Sequence, residues 1–510
     1  MLLYVASFLC TIINSHVSKV DAVPSNHRVT ELPGWDGELL SRTYAGYISA
    51  GVKDGMQIFE HYLFFESEGN PAQDPLIMWT NGGPGASSFF GSFSELGPYY
   101  LSEASLKTDS YRATGVPTLF RNIYSWTKLG SLLIRNMPPP VGFSYCSGHG
   151  PAGDGKSCGR WNDTSTAIHS FEFLKNWYAE FPEFAERDLY LTGESYAGIY
   201  VPTLAREILK NKGSTPEQQL RGFAVGDGCL GGDWGGPYYE VEFFHGHGQF
   251  SDKTYREIQT KCSVKELVEG VRNASCKAAL DKMEDEKGYS FEYNLYDECY
   301  DFDLLTSQRW DAPRPHFGAP RRPHHAQKRL MSGQHTSGVE YEPHHMDGAP
   351  CGGTSVLPKW ANHSKVKKAL HVPSDAFFFD ADGWDMYDST EPELVPFYKE
   401  AAEKTDVRIL VYNGDTDPGL NSFRAENWTR AIGLAETEAW RPWTIDGRLR
   451  MGGFVTRYEH ELDFLTIRGS GHMVPEYKPA AAFAFLKAWL SNADYPWYRP
   501  ASGMLKTVVV

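Results

Sequence analysis

The sequence has no excess of positive charge. Among its 510 residues, 49 Lys and Arg stand against 64 Asp and Glu, which leaves a formal net charge of −15. No sustained basic stretch interrupts this balance. A nucleic-acid-binding surface needs clustered cations to neutralise phosphates. The composition therefore excludes nucleic acid as a predicted partner.

Long hydrophobic runs are also missing. The apolar run at the start, Leu2–Ile13, is well short of the about 20 residues that cross a bilayer. Small residues follow around Ala22, so residues 1–22 are predicted to be a signal peptide. The residues before the run include no Lys or Arg, and a membrane anchor is the structural alternative. The signal peptide predicts the secretory pathway, with a secreted, lysosomal or vacuolar destination and no membrane partner.

Cysteine is scarce, and no Cys-x-x-Cys spacing occurs. The sequence therefore supports no zinc site, and neither a metal nor another cofactor is predicted. Seven cysteines remain after Cys10 in the leader. In an oxidising compartment, the short separations predict the pairs Cys146–Cys158 and Cys262–Cys276. The odd count leaves one thiol or one intermolecular bond.

Four Asn-x-Ser/Thr sequons fit a glycoprotein of the secretory pathway. Each is a weak signal alone, because the pattern arises by chance. The predicted glycosylation sites are Asn162, Asn273, Asn362 and Asn427.

Short apolar runs that end in glycine-rich or polar turns recur along the chain. They are PLIMWT, SLLIRN, RDLYLTG, LRGFAVG, VRILVYNG and LDFLTIRGSG. Runs of this length are typical of buried parallel strands, and amphipathic stretches such as STAIHSFEFLKNWYAEF predict crossover helices between them. The predicted fold class is α/β, with a mostly parallel central sheet and flanking helices.

The pattern changes between residues 236 and 358, where mostly helical, cysteine-containing sequence predicts a cap insertion. The sheet-forming core is then residues 23–235 and 359–510. Within the insertion, about residues 311–350 are rich in Pro, His and Arg and predict an exposed loop. Paired basic residues such as Arg321-Arg322 leave proteolytic processing open. Paired histidines such as His324-His325 lack the fixed geometry of a metal site, so a solvated loop is the favoured interpretation.

The segment Gly193-Glu194-Ser195-Tyr196-Ala197 predicts a nucleophile. A sharp turn from strand to helix lifts such a serine above the sheet and needs tiny residues two positions before and after it. The last glycine of the usual Gly-x-Ser-x-Gly pattern is replaced by Ala197. The alternative is a helix-capping serine.

An acid and a base follow in the order that this chemistry requires. The run VRILVYNGDTDPG offers Asp415 and Asp417 at the end of one predicted strand. The run LTIRGSGHMVP places His472 after the last strand. His472 would act as general base to Ser195 and then as acid to the leaving group.

Two backbone amides are candidates for the oxyanion hole. Tyr196 supplies the N–H after the nucleophile, and the loop NGGPG supplies a second near Gly82 and Gly83. The loop is no phosphate-binding loop, because the Gly-Lys-Ser/Thr ending is absent.

Six blocks together resemble the serine carboxypeptidase family: WTNGGPGASS, ELGP, PVGFSY, GESYAGIYVP, NGDTD and GHMVP. They run in family order from Trp79 to Pro475. The resemblance implies an α/β-hydrolase fold and a carboxypeptidase that releases C-terminal amino acids through an acyl-enzyme, with a peptide or protein carrying a free C-terminus as substrate. It leaves a homodimer open. The implied residues are Ser195, Asp417 and His472 for catalysis, Gly83 and Tyr196 for the oxyanion hole, and Trp79, Asn81, Gly82, Glu95 and Glu194 for the substrate carboxylate.

The implied pair of Glu95 and Glu194 has a physical rationale. Two carboxyl groups forced together in a dry site share a proton, and one pKa rises. The neutral member can then donate a hydrogen bond to a substrate carboxylate. The pair therefore predicts exopeptidase activity with an acidic optimum.

Several positions depart from the family pattern. Many relatives have cysteine at Ala86, paired to the segment around Cys351, so Cys351 lacks its usual partner. Some relatives have cysteine at Leu420, and Asp227 replaces the commoner asparagine of a Gly-Asn-Gly block. None of these removes a catalytic group.

Three other functions are alternatives. Some family members are acyltransferases that pass the acyl group to an alcohol, but they often replace Asn81, which is retained here. A non-catalytic protective or binding protein on the same fold is the second alternative. A lipase or esterase would explain the triad without the set Asn81, Glu95 and Glu194.

Overall fold

The computed structural model describes residues 25–148, 150–151, 156, 158–232, 236–297, 356–381 and 383–499. The predicted signal peptide, the 311–350 loop and the cysteines Cys299 and Cys351 lie outside the described residues. Among the helices of the described ranges, none is both long and apolar enough to cross a bilayer.

A twelve-stranded sheet organises the described chain, and two small two-stranded sheets accompany it. The strands are β1 (Arg28–Val29), β2 (Thr43–Lys53), β3 (Met56–Phe65), β4 (Leu76–Thr80), β5 (Tyr99–Tyr100), β6 (Phe120–Arg121), β7 (Ser131–Arg135), β8 (Tyr145–Cys146), β9 (Trp161–Asn162), β10 (Leu189–Glu194), β11 (Leu220–Gly226), β12 (Tyr387–Asp388), β13 (Arg408–Gly414), β14 (Glu436–Thr444), β15 (Met451–Tyr458) and β16 (Leu462–Ile467). The order in the large sheet is β1-β2-β3-β7-β4-β10-β11-β13-β16-β15-β14, with β8 paired to β3.

The six central strands, β7-β4-β10-β11-β13-β16, are parallel. They are the six apolar runs found in the sequence, and the predicted parallel sheet is confirmed. Every residue of β4 and β13 is buried, as both faces of a covered parallel sheet require.

Antiparallel strands extend the sheet at both ends, which the sequence analysis did not anticipate. β1, β2 and β3 form one flank, and β15 and β14 form the other. The edge strand β14 includes exposed and charged residues in its sequence ETEAWRPWT, so it lacks the continuous apolar run that marks a buried strand. Charged residues also interrupt β3 at Glu60 and β15 at Arg457. The difference follows from position, because edge strands need fewer buried side chains.

Helices cover both faces of the sheet. They are α1 (Asp109–Thr114), α2 (Asp163–Glu180), α3 (Ala197–Lys210), α4 (Thr215–Gln219), α5 (Tyr238–Gly246), α6 (Asp252–Lys261), α7 (Val264–Glu269), α8 (Ala274–Lys287), α9 (Val356–Ala361), α10 (Ser364–Ala369), α11 (Val395–Lys404), α12 (Ser422–Ala431), α13 (Val474–Tyr477) and α14 (Pro479–Leu490). Short 3-10 turns cover Ser25–His27, Glu103–Leu106, Trp126–Lys128, Pro182–Phe184 and Glu459–Glu461, and a π-helical turn covers Gly91–Glu95.

Successive residues of a strand point to opposite faces, so each central strand feeds two apolar layers. Val411 of β13 packs in the layer that contains Trp177 of α2. Its neighbour Leu410 packs in the layer that contains Trp489 of α14. The two layers bury both faces of the central sheet.

The helices α5–α8 enclose a smaller apolar cluster of their own, which includes Phe243, Ile258 and Met283. α6 contacts α8 directly. This helical region follows β11 in the chain, and the structure describes it as far as residue 297.

The two predicted disulfides are confirmed. Cys146 and Cys158 are joined with a Cα–Cα distance of 5.4 Å, and Cys262 and Cys276 with one of 4.8 Å. The second bond joins the end of α6 to the start of α8.

Candidate active site

Ser195 lies in a tight turn between β10 and α3. Its φ is +62°, a left-handed conformation that is uncommon outside glycine. Backbone hydrogen bonds hold the turn, since the Ser195 N–H donates to Gly226 O (3.0 Å) and its carbonyl accepts from Cys229 N (2.9 Å). Ser195 is half-buried while its chain neighbours are buried. The turn therefore presents this hydroxyl where a substrate can reach it.

Close packing explains the small residues around the turn. A Cβ added to Gly193 would lie 2.5 Å from Thr80 O and 2.6 Å from the Cβ of Ala197. Both contacts are shorter than side chains tolerate. The predicted need for tiny residues two positions before and after Ser195 thus has a steric basis.

His472 and Asp417 lie against each other at the same edge of the sheet. The Nδ1–H of His472 donates to Asp417 Oδ2 at 2.8 Å, and both side chains are buried. Asp417 follows β13 and His472 follows β16, and β10, β11, β13 and β16 are neighbours in parallel. The carboxyl ends of parallel strands meet at one edge, which brings both residues to the side of Ser195.

The structure distinguishes the two aspartates that the sequence offered. Asp417 Oδ1 accepts hydrogen bonds from the N–H groups of Gly419 (2.8 Å) and Leu420 (3.2 Å), which orient the carboxylate toward the imidazole. Asp415 instead accepts from Gly469 N at 2.6 Å. Asp417 is therefore the acid that can orient His472.

The glycine loop after β4 lies directly against the turn at Ser195. A Cβ on Gly82 would lie 2.3 Å from the amide nitrogen of Tyr196 and 2.9 Å from the Ser195 Cβ. Gly83 has a φ of +105°, which favours glycine. Only a glycine at 82 therefore lets this loop pack so closely against the turn at Ser195 and Tyr196.

Asn81, the first residue of that loop, joins two buried acids. Its Nδ2 donates to Glu194 Oε1 at 2.9 Å and to Glu95 Oε1 at 3.3 Å. Its Oδ1 accepts from the indole N–H of Trp79 (2.8 Å) and from Gly91 N (3.1 Å). Trp79 is fully buried, and its indole N–H orients the side chain of Asn81.

Glu95 and Glu194 form a carboxyl pair with one oxygen each left over. Glu95 ends the buried π-helical turn, and Glu194 ends β10. In both, Oε2 accepts no hydrogen bond from any donor in the described part of the chain. Burial raises the pKa of Glu95 to about 7. Burial and the charge of Glu95 raise the pKa of Glu194 further above its usual range.

A proton shared by this pair turns it into a hydrogen-bond donor at acidic and near-neutral pH. The charge of His472 also acts on Glu95, which places the pair beside the imidazole. The site can thus combine a nucleophile, a base and a neutral acid next to one another.

A hub at Asp163, which the sequence analysis missed, supports the candidate oxyanion donor Tyr196. The Tyr196 hydroxyl donates to Asp163 Oδ1 at 2.8 Å, and the Tyr387 hydroxyl donates to the same oxygen at 2.9 Å. Backbone N–H groups of Thr390 and Glu391 donate to Oδ2. These partners are remote from Asp163 in the chain, so no sequence pattern could indicate them.

A second acid, Asp227, lies beside the Asp417–His472 pair. One potential ligand atom from each of the three residues falls within 4.8 Å of the others, and all three side chains are buried. Carboxylates and imidazoles are common metal ligands. Here, however, Asp417 and His472 are hydrogen-bonded to each other. The sequence feature that marked Asp227 was the aspartate itself, which stands where the family pattern commonly has asparagine.

The four predicted glycosylation sites differ in exposure. Asn273 is exposed at the start of α8, and the other three are half-buried. Asn162 caps α2 by accepting from Ser165 N, and Asn362 donates to Pro358 O at 3.0 Å. Their modification stays a prediction. The four sites are Asn162, Asn273, Asn362 and Asn427.

Comparison with known proteins adds independent information. A sequence model described as serine carboxypeptidase matches residues 33–492. Serine carboxypeptidase 1 of Hordeum vulgare is 32% identical over 502 residues, which cover 92% of this chain and 94% of the relative. The lysosomal protective protein of Mus musculus is 30% identical over 518 residues, which cover 96% and 98% of the two chains.

A solved structure also resembles the fold. A prohormone-processing carboxypeptidase from Saccharomyces cerevisiae superposes with a TM-score of 0.65 at 19% identity. The match covers 92% of this chain and 96% of that chain. At this identity the likeness concerns the fold alone.

Proposed function

The chain belongs to the serine carboxypeptidase family, and on that premise we propose that it releases C-terminal amino acids from peptides and proteins at acidic pH. The observation that carries the proposal is the buried pair of Glu95 and Glu194, which Asn81 bridges. Glu194 directly precedes the nucleophile Ser195 in the chain. A site that only hydrolyses esters has no need for two neutralised acids beside its serine.

The first chemical step is attack by Ser195 Oγ on the carbonyl carbon of the last peptide bond. The hydroxyl proton passes to Nε2 of His472, and Asp417 stabilises the imidazolium through its 2.8 Å hydrogen bond. The negative charge that develops on the carbonyl oxygen is stabilised by the N–H groups of Tyr196 and Gly83. The close packing of the glycine loop at Gly82 against Tyr196 N supports this assignment.

The second step breaks the carbon–nitrogen bond. His472 gives its proton to the leaving amine, and the C-terminal amino acid departs, which leaves an acyl group on Ser195. Water then attacks the acyl carbon and gives a proton to His472. The bond between that carbon and Ser195 Oγ breaks, His472 returns the proton to Oγ, and the shortened peptide leaves as a free acid. Two easier steps thus replace one difficult hydrolysis.

The Glu95–Glu194 pair acts on the substrate carboxylate. In acid, a carboxyl O–H of the pair is a donor to a free C-terminus, and the amide of Asn81 holds the two acids in place for it. Gly82 and Trp79 shape this pocket, Gly82 by leaving room and Trp79 by orienting Asn81. When the pair loses a proton, its negative charge increases and it repels the same carboxylate.

The cellular route belongs to the same proposal. A relative of 30% identity is named a lysosomal protective protein, and two disulfides are present in the described chain. Disulfides persist in oxidising compartments. We therefore expect the protein in the secretory pathway, either secreted or in an acidic lysosome or vacuole, with a peptide substrate as partner.

The test compares one N-blocked dipeptide with its C-terminal amide from about pH 4 to about pH 8, beside a Ser195→Ala variant. We expect the free acid to be cleaved best in acid, the amide poorly there, and neither by the variant. Consumption of an activated ester through Ser195 without peptide cleavage would contradict the proposal. That outcome would favour acyl transfer, to be tested with alcohol acceptors.

A further inference from the structure

Asp227 is a buried carboxyl group that the proposed mechanism does not use. It follows β11 at the carboxyl edge of the sheet, has a φ of +41°, and is 0% exposed. A charged side chain is rarely buried without partners, because its desolvation is costly. Its contacts therefore require an explanation.

The two oxygens of Asp227 have different surroundings. Oδ1 accepts hydrogen bonds from Asn413 Nδ2 (2.8 Å) and from Gly414 N (2.9 Å). Oδ2 accepts no hydrogen bond from a donor in the described ranges. A carboxylate oxygen without a donor is expensive in a dry site, whereas a protonated oxygen needs only an acceptor.

The candidate acceptor for a proton on Asp227 is the neighbouring carboxylate of Asp417. Ligand-type atoms of Asp227, Asp417 and His472 lie within 4.8 Å of one another. Asp417 already accepts three hydrogen bonds, from Gly419 N, Leu420 N and the His472 imidazole. Hydrogen bonds to a carboxylate favour its charged form, so the proton of the two acids belongs on Asp227.

We propose that Asp227 is a positioning residue for the triad: in its neutral form it donates its carboxyl proton to the Asp417 carboxylate and holds that group against His472. The inference rests on the triad mechanism proposed above. In this role the neutral carboxyl group of Asp227 donates a hydrogen bond, as the amide of an asparagine at this position would. The difference is that the acid can lose its proton, whereas the amide cannot.

The groups around Asp227 determine the pH at which the donor is lost. Asp417 and Glu194 act on it with negative charge, and Tyr412 and His472 also face it. Burial raises the pKa of Asp227 well above its usual range, and the charge of Asp417 raises it further. Below that pKa the two acids share one negative charge. Above it they carry two and repel, and Asp417 loses its donor.

The experiment uses an N-blocked amino acid p-nitrophenyl ester, which has no free C-terminal carboxylate. Its hydrolysis therefore reports the triad without the Glu95–Glu194 pair. The full chain is compared with Asp227→Asn and Asp227→Ala from about pH 5 to about pH 9, and kcat and KM are measured separately. The low-field NMR signal of the His472 Nδ1 proton is followed over the same range, and thermal unfolding checks that each variant is folded.

Asp227→Asn keeps Oδ1 for Asn413 and Gly414 and turns an N–H toward Asp417, but it cannot titrate. We expect its kcat near pH 6 within about threefold of the original chain, and we expect the fall of kcat at alkaline pH to disappear or move up by about one pH unit. The low-field proton signal should persist to correspondingly higher pH. Asp227→Ala should lower kcat about 10- to 100-fold, as loss of an orienting partner does, with KM changed less than about twofold.

Two results would overturn the proposal. One is an Asp227→Asn profile of kcat and proton signal that superposes on the original at every pH. The other is a folded Asp227→Ala variant with unchanged kcat. If Asp227→Ala does not fold, the profile of Asp227→Asn decides alone. Ester hydrolysis with the expected dependence on Asp227, but without any peptide cleavage, would support the role of Asp227 and overturn the carboxypeptidase proposal instead.

Discussion

Two buried carboxyl pairs lie at the carboxyl edge of the sheet, and they face different groups. Glu95 and Glu194 are bridged by Asn81, and within the described residues Oε2 of each accepts no hydrogen bond. Asp227 and Asp417 adjoin the imidazole. Both pairs keep a proton through burial and mutual repulsion. A buried carboxyl pair that keeps a proton therefore has two different roles here. The first pair can act on a substrate, and the second can act on the base His472.

The hydrogen-bond donors explain the difference. Asn81 donates to both acids of its pair, so its hydrogen bonds do not assign the proton to one of them. Of the two acids in the second pair, Asn413 donates to Asp227, and its amide also donates to Leu420 O. Backbone amides and His472 donate to Asp417. This asymmetry fixes the proton on Asp227. Changes in the first pair should appear in KM for free acids, and changes in the second in kcat.

The largest expected effect breaks the second pair at its charged member. Asp417→Asn removes the anion that orients and stabilises His472, so kcat should fall about 10⁴-fold on both ester and peptide substrates, with KM nearly unchanged. Asp415→Asn is the matched control, because that aspartate binds Gly469 N and not the imidazole. Steady-state kinetics measure both. Equal losses in the two variants would contradict the assignment of Asp417.

A smaller effect is expected when the first pair is broken. Glu194→Ala removes one acid and an acceptor of Asn81, and KM for a free-acid dipeptide should rise about 10- to 100-fold, as for one lost hydrogen bond to a charged group. KM for the matching amide should stay within about threefold. Glu194→Gln preserves the shape of the side chain beside Ser195, so it is the control for the loss of that shape in Glu194→Ala. A uniform loss on acid and amide would show a general disturbance of the turn.

The pH dependence of binding sharpens the comparison further. The raised pKa values of Glu95 and Glu194 keep a proton on the pair in acid, and the proton is lost as pH rises through about 7 for Glu95. KM for a free acid should therefore rise about tenfold or more between pH 5 and pH 8, while KM for the amide stays flat. Parallel KM profiles of acid and amide would refute this role.

The smallest effect concerns stability. Glu95 has a higher pKa in the folded than in the unfolded chain, so the folded state binds more protons between about pH 4.5 and about pH 7. Its contribution is present below that window and is lost as pH rises through it. Glu95→Gln should flatten the pH dependence of unfolding by an amount on the order of 1–3 kcal/mol, seen as a smaller drop in Tm from pH 5 to pH 8. An unchanged slope would show that the acid does not titrate in that range.

Most of the central fold could be predicted because the signal is local. The six apolar runs, each between turns, form the six parallel strands. Cys146 and Cys262 form disulfides with cysteines that lie close to them in the chain. The antiparallel flanks were not predicted, because strands such as β14 mix exposed charges with apolar residues. The hub at Asp163 was missed for another reason, since its partners Tyr387 and Thr390 lie more than 200 positions away.

The sequence by itself determined the strands, the turn at Ser195 with its small neighbours, and the order of serine, acid and base. Each depends on apolar patterning or on steric space within a few residues. The residue pattern left Asp415 and Asp417 open, and the choice of Asp417 and the pairing of Glu95 with Glu194 were implied only by the family resemblance. The tertiary structure gives the contacts of Asp417 with His472 and of both glutamates with Asn81, and it alone decided that Asp227 lies beside Asp417. A carboxyl group's charge depends on burial and on the groups around it, and in a folded chain those groups come from distant segments.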